Sequence, residues 1–97
     1  MFVRVASFEG GDTNRLRELN QERRDSGSTG MPEDVRRVMI LDDEQGGKRL
    51  FVTFFDSRDA VDAAQSKFDA MGDEIPEDVR GRRTGIDVYE VVFDDTP

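Results

Sequence analysis

Arg49-Leu50-Phe51-Val52-Thr53-Phe54-Phe55-Asp56-Ser57-Arg58-Asp59-Ala60 is the stretch on which the fold turns. After Arg49 its residues are β-branched, aromatic or aliphatic as far as Phe55, which predicts a strand. Asp56 or Ser57 can then accept a hydrogen bond from the free amides that open a helix. Val61, Ala64, Phe68 and Met71 recur at the spacing of one buried helical stripe, so the helix runs to about Met71. On the N-terminal side, Asp43-Glu44-Gln45-Gly46-Gly47-Lys48 is a turn, and Arg37-Val38-Met39-Ile40-Leu41-Asp42 before it is another strand. Two strands joined by so short a link pair as an antiparallel hairpin.

Working outward, Phe2-Val3-Arg4-Val5-Ala6-Ser7-Phe8 predicts an opening strand that ends at Gly10-Gly11, where a turn is cheap for the backbone. Asp12 or Thr13 can cap a helix running to about Arg24, with Leu16 and Leu19 on its inner face. Asp25 to Gly30 is a loop by composition and the expected mobile segment. Ile86 to Phe93 predicts the last strand, after a polar stretch from Gly72 to Gly85. The order βαββαβ implies one α+β domain over residues 1–97. It is ferredoxin-like, a four-stranded antiparallel sheet with two helices on one face. An internal echo agrees: Met31-Pro32-Glu33-Asp34-Val35-Arg36 leads into the second strand and Ile75-Pro76-Glu77-Asp78-Val79-Arg80 precedes the last. These two strands occupy equivalent places at opposite edges of such a sheet.

A sheet with helices on one face and water on the other alternates apolar with polar residues. Leu50 to Phe55 is instead almost continuously apolar, and Val88 to Phe93 nearly so. Both faces want cover, and two helices cover one. A second copy, sheet against sheet with the helices outside, would close an α+β barrel, so a homodimer is expected.

The 97 residues carry a formal charge of -8. Nucleic acid and anionic membrane surfaces are therefore repelled at long range and are not expected as partners. With no cysteine there is no disulfide, thiolate nucleophile or cysteine-type zinc site, and with no histidine the usual general base near neutral pH is missing. Asp42-Asp43-Glu44 and Asp94-Asp95 lack the spacing of a calcium loop, so no metal site is expected. Neither Gly10-Gly11 nor Gly46-Gly47 belongs to a phosphate-binding fingerprint. The N-terminus resembles neither a signal peptide nor a membrane span, which makes the cytoplasm the default expectation.

The opening Val3-Arg4-Val5 ending at Glu9-Gly10, the Arg49 to Ala60 strand-into-helix junction and the closing Val88-Tyr89-Glu90-Val91 together resemble the antibiotic biosynthesis monooxygenase-like members of the dimeric α+β barrel superfamily, over nearly the whole chain. The resemblance implies a small aromatic or apolar ligand, and an activity that ranges among relatives from cofactor-independent oxygenation of phenolic substrates to haem degradation. The chain departs from that pattern in two ways. It has no histidine to serve as proximal haem ligand, and Phe55 stands where relatives often place tryptophan. No cofactor is therefore expected.

Several residues are candidates for lining a ligand pocket. Tyr89 offers a phenol. Arg4 shares a strand face with Phe2 and Ala6, and Glu90 shares one with Val88 and Val92 on a strand expected beside the first, so the two are expected to pair. Asn20 and Arg23 continue the Leu16 and Leu19 stripe as a polar end. Phe55 is added by the resemblance. No residue is identified as catalytic. Two classes of function stay open: a monooxygenase-like enzyme or binder of a small apolar molecule, and a noncatalytic dimeric interaction module.

Overall fold

The chain folds in the order β1 (Phe2–Glu9), α1 (Thr13–Asp25), β2 (Arg37–Asp43), β3 (Lys48–Phe55), α2 (Arg58–Glu74), α3 (Glu77–Arg80) and β4 (Arg82–Glu90) in a computed structural model that describes residues 1–27 and 31–96, apart from the side chains of 72–74. Residues 28–30 of the expected mobile loop lie outside the described residues. The sheet order is β2-β3-β1-β4 and all neighbours are antiparallel. This is the ferredoxin-like α+β arrangement.

Both long helices begin where capping chemistry places them. The Asp12 side chain accepts from the Arg15 amide at 3.1 Å, and the Ser57 hydroxyl from the Ala60 amide at 3.1 Å. Helix α2 buries Val61, Ala64 and Phe68 against Phe55 of β3, and Phe68 meets both Phe51 and Phe55 edge to face at about 6 Å. Helix α1 buries none of its residues; Leu16, Leu19, Asn20 and Arg23 are half-buried along its inner face.

Two boundaries differ from expectation. The last strand lies at Arg82–Glu90 rather than 86–93. Phe2 pairs with Glu90, and beyond that pair the Met1 carbonyl accepts the Val91 amide at 2.9 Å. Val92 and Phe93 lie beyond this pairing and are almost fully exposed despite their β propensity. At its other end β4 follows β1 out to Glu9 opposite Arg82, with a register shift next to Ser7. The second difference is α3, one turn within the stretch expected to be irregular. The echoed segments share a turn in which the valine amide bonds the proline carbonyl, Val35 to Pro32 at 3.1 Å and Val79 to Pro76 at 3.0 Å. Only the second copy tightens into a helical turn.

That turn packs backbone to backbone on the β1–α1 junction. Gly11 and Gly81 both have positive φ, and a Cβ on Gly81 would lie 2.7 Å from the Glu9 carbonyl oxygen. The Asp12 amide donates to the Val79 carbonyl at 2.8 Å, which ties the start of α1 to α3.

Register assigns the two faces of the sheet. Phe2, Arg4 and Ala6 of β1, Arg49, Phe51, Thr53 and Phe55 of β3, and Val38, Ile40 and Asp42 of β2 point to the helix side. Val3, Val5, Met39, Leu41, Leu50, Val52, Phe54 and Tyr89 point the other way, so the face without helices is apolar across its centre. No helix among the described residues is long and apolar enough to cross a membrane.

Candidate functional site

Helix α2 lies over β1 and β3, but α1, with two leucines on its inner face, does not close over β2. Val38 and Ile40 therefore stay 39% exposed each although they point to the helix side. The result is a cleft of about 670 Å³ between α1 and β2, floored by Leu16, Met31, Val35, Val38, Ile40 and Phe51. It narrows to an inner end of about 110 Å³ that runs under α2 to Phe68 and Met71, and Leu16, Asn20, Arg23, Met31, Ile40, Arg49 and Phe51 line both parts. The rim of the wider part is polar and rich in arginine, with Arg17, Arg24, Arg36 and Arg37 around this apolar floor; small-molecule sites combine an apolar lining with polar groups that fix orientation.

Arg4, Asn20 and Arg23, from the sequence candidates, meet in this cleft. Arg4 reaches the inner end from the middle of β1 and is only 2% exposed. Its Nε donates to Gln65 Oε1 at 2.6 Å, and its guanidinium lies 4.5 Å from the centre of the Phe68 ring. The pKa of Arg4 is lowered, first by desolvation and then by the positive charge of Arg83, against which Asp69 acts.

Phe55, Tyr89 and Glu90 are placed elsewhere. Phe55 is fully buried in the α2 core. Tyr89 lies opposite Val3 on the face without helices, 56% exposed. Glu90 is opposite Phe2 at the end of the sheet, exposed, and Arg4 is opposite Val88. The expected Arg4–Glu90 pair does not form, because the register sets them two residues apart and α2 supplies Gln65 instead.

Arg49 is a site residue that sequence reasoning missed. It is 6% exposed; Nη1 donates to the carbonyls of Arg80 at 3.1 Å and Gly10 at 3.3 Å, and Nη2 donates to Thr13 Oγ1 at 2.5 Å. Its Nε is 3.7 Å from Asp42 Oδ1. Arg49 thus fastens the start of α1 to β3 and α3 and sets the closed end of the cleft. The signal was present, since Arg49 alternates with Phe51, Thr53 and Phe55 on one strand face, which is the pattern that singled out Arg4. Arg80 and Arg83 also line the inner end and had no such signal, because α3 and the start of β4 were not anticipated.

Known structures reproduce this architecture from end to end. A protein assigned as an antibiotic biosynthesis monooxygenase from Deinococcus radiodurans superposes with a TM-score of 0.56 at 14% identity, covering 100% of this chain and 98% of that one. A second so assigned, from Chloroflexus aurantiacus, gives 0.58 at 12% identity, covering 98% and 96%. The haem degrader MhuD of Mycobacterium tuberculosis, with two haems in its active site, gives 0.62 at 17% identity, covering 99% and 100%. The fold is that of the antibiotic biosynthesis monooxygenase-like proteins. No protein-family model and no curated protein matches the sequence.

Within this monooxygenase-like fold, haem is a poor fit to the present cleft. The chain has no histidine or cysteine, and its one tyrosine is on the opposite face of the sheet, so the histidine, thiolate and phenolate ligands that commonly hold haem iron are missing. Among the described residues no group of three acidic, histidine or cysteine side chains is placed to hold a metal ion. Asp42 is engaged by Arg49 and by the Thr13 hydroxyl at 3.4 Å, and Asp43 accepts from the Gly46 amide at 3.0 Å within the hairpin turn.

Proposed function

We propose that the protein binds a small aromatic or otherwise apolar molecule in the cleft between α1 and β2, as a homodimeric cytoplasmic domain of the monooxygenase-like fold. The observation that carries this is the cleft itself, about 670 Å³ over an apolar floor, within the range of small-molecule sites. The fold adds support, since relatives in structure include proteins assigned as monooxygenases and one with haems bound. Binding is favoured over catalysis by the residues available: among the described residues the polar side chains of the inner end are arginines and an asparagine. The homodimer is supported by the apolar face centred on Val5, Val52 and Met39, which two sheets packed together would remove from water.

The test is a thermal-shift and calorimetric screen of neutral phenols and aromatic hydrocarbons on the purified protein, repeated on Ile40→Trp, which fills the cleft from its floor. Saturable binding lost in Ile40→Trp, with the fold retained by circular dichroism, is the expected result. Absence of binding by every compound in the wild-type protein overturns the reading. Oxygen consumption with any bound phenol would add turnover to binding.

A further inference from the structure

We propose that the inner end of the cleft is a carboxylate receptor, so that the natural ligand is an apolar acid whose carboxylate meets Arg4. This rests on the reading of the cleft as a small-molecule site and names the chemistry of its occupant.

Charge distribution is the first support. The chain has 22 acidic and 14 basic residues, yet among the described residues five arginines, Arg4, Arg23, Arg49, Arg80 and Arg83, and no acidic side chain line the inner end. A protein this acidic does not concentrate cations in one small cavity through composition alone. Second, these guanidiniums are not equally satisfied. Arg83 has Asp69 at 3.1 Å, and Arg49 is held by carbonyls and Thr13. Arg4 is 2% exposed, yet among the described residues only its Nε has a hydrogen-bond acceptor, and no carboxylate lies within ion-pair distance. Among the described residues the Nε atoms of Arg80 and of Arg49, the latter 3.7 Å from Asp42 Oδ1, are also buried without a hydrogen-bond partner. A guanidinium remains charged at neutral pH. A buried one without a counter-ion is costly to the fold, and that cost is relieved when an anion arrives.

Third, the surroundings select the anion. The walls at the inner end are Ala6, Phe8, Phe51, Phe68, Met71 and Ile75, and the space is about 110 Å³. A planar carboxylate fits that volume and matches the two-pronged guanidinium edge. The apolar body then extends outward over Leu16, Ile40 and Met31 into the wider cleft.

The decisive comparison is calorimetric titration of the purified protein with naphthoate and with its neutral isostere naphthamide, at about 0.15 M salt to screen the acidic surface. Naphthoate is expected to bind at least about tenfold more tightly. In Arg4→Met that preference is expected to vanish, the two compounds binding alike. Equal affinity of the two compounds for the wild-type protein overturns the carboxylate receptor and leaves the apolar site standing. Binding of neither at millimolar concentration overturns both readings. A preference that persists in Arg4→Met removes Arg4 as the anion's partner. The acid–amide comparison uses the unaltered chain, so it decides the matter even if Arg4→Met fails to fold.

Discussion

Arg4 and Arg49 are both buried cations on the helix side of the sheet, and they are expected to behave oppositely when removed. Arg49 satisfies two backbone carbonyls and a hydroxyl that would otherwise be stranded. Arg49→Met should therefore lower stability by about 3 kcal/mol, read from the urea midpoint. Arg4 gives up water for one amide oxygen and an aromatic face. In the absence of ligand Arg4→Met should be neutral or raise stability by about 1 kcal/mol, and a loss as large as that for Arg49→Met would show that Arg4 is a structural strut. The sign agrees with its lowered pKa: a cation whose folded-state pKa is depressed destabilises the fold at every pH below that value, and the cost is relieved only as pH rises through it. At Gly81 the limit is geometric. Gly81→Ala combines a positive φ with a Cβ driven into the Glu9 and Gly10 carbonyls and should cost about 2 kcal/mol or more, measured by the same denaturation.

Helices α1 and α2 differ in how much apolar surface they bring. Val61, Ala64 and Phe68 give α2 a continuous buried stripe, whereas α1 has two leucines followed by Asn20 and Arg23. Phe68→Ala should accordingly cost about 3–5 kcal/mol and Leu16→Ala much less. Hydrogen exchange should show α1 amides beyond the Asp12 cap opening more readily than those of α2, with α1 slowing when a ligand fills the cleft. Equal protection of the two helices would contradict the account of a loosely covered cleft. The same comparison shows what an amphipathic pattern conveys. Both stripes were readable in the sequence, including the polar end of α1, but how far α1 stands from β2 was not. That distance follows from packing and from the Arg49, Gly11 and Gly81 contacts that hold the start of α1. Helix α3 escaped notice because four residues are too few for any periodicity to register.

For the molecule as a whole, the apolar face opposite the helices bears on assembly. Light scattering is expected to give twice the 11.0 kDa mass of one chain. Met39→Asp, which puts a charge on that face without touching the α2 core, should shift the protein toward monomer and make its melting temperature depend more steeply on concentration. A wild-type monomer at tens of micromolar would remove the barrel arrangement and leave the cleft unaffected, since the cleft lies on the other side of the sheet.

What the sequence determined by itself was the order of the four strands and two long helices, the hairpin, each helix cap to within two neighbouring residues, and the α2 stripe. All of these depend on spacing along the chain, which periodicity and local hydrogen bonding report directly. Arg4, Asn20 and Arg23 were legible as anomalies, polar groups on otherwise apolar faces. Only the tertiary structure decided that these three meet in one cleft, that Tyr89 and Glu90 do not reach it, and that Arg49, Arg80 and Arg83 do. The reason is register: shifting β4 against β1 by two residues replaces Glu90 with Val88 opposite Arg4, and no local pattern specifies that shift. It goes with the close approach of the Gly11 and Gly81 backbones, which join residues about seventy positions apart.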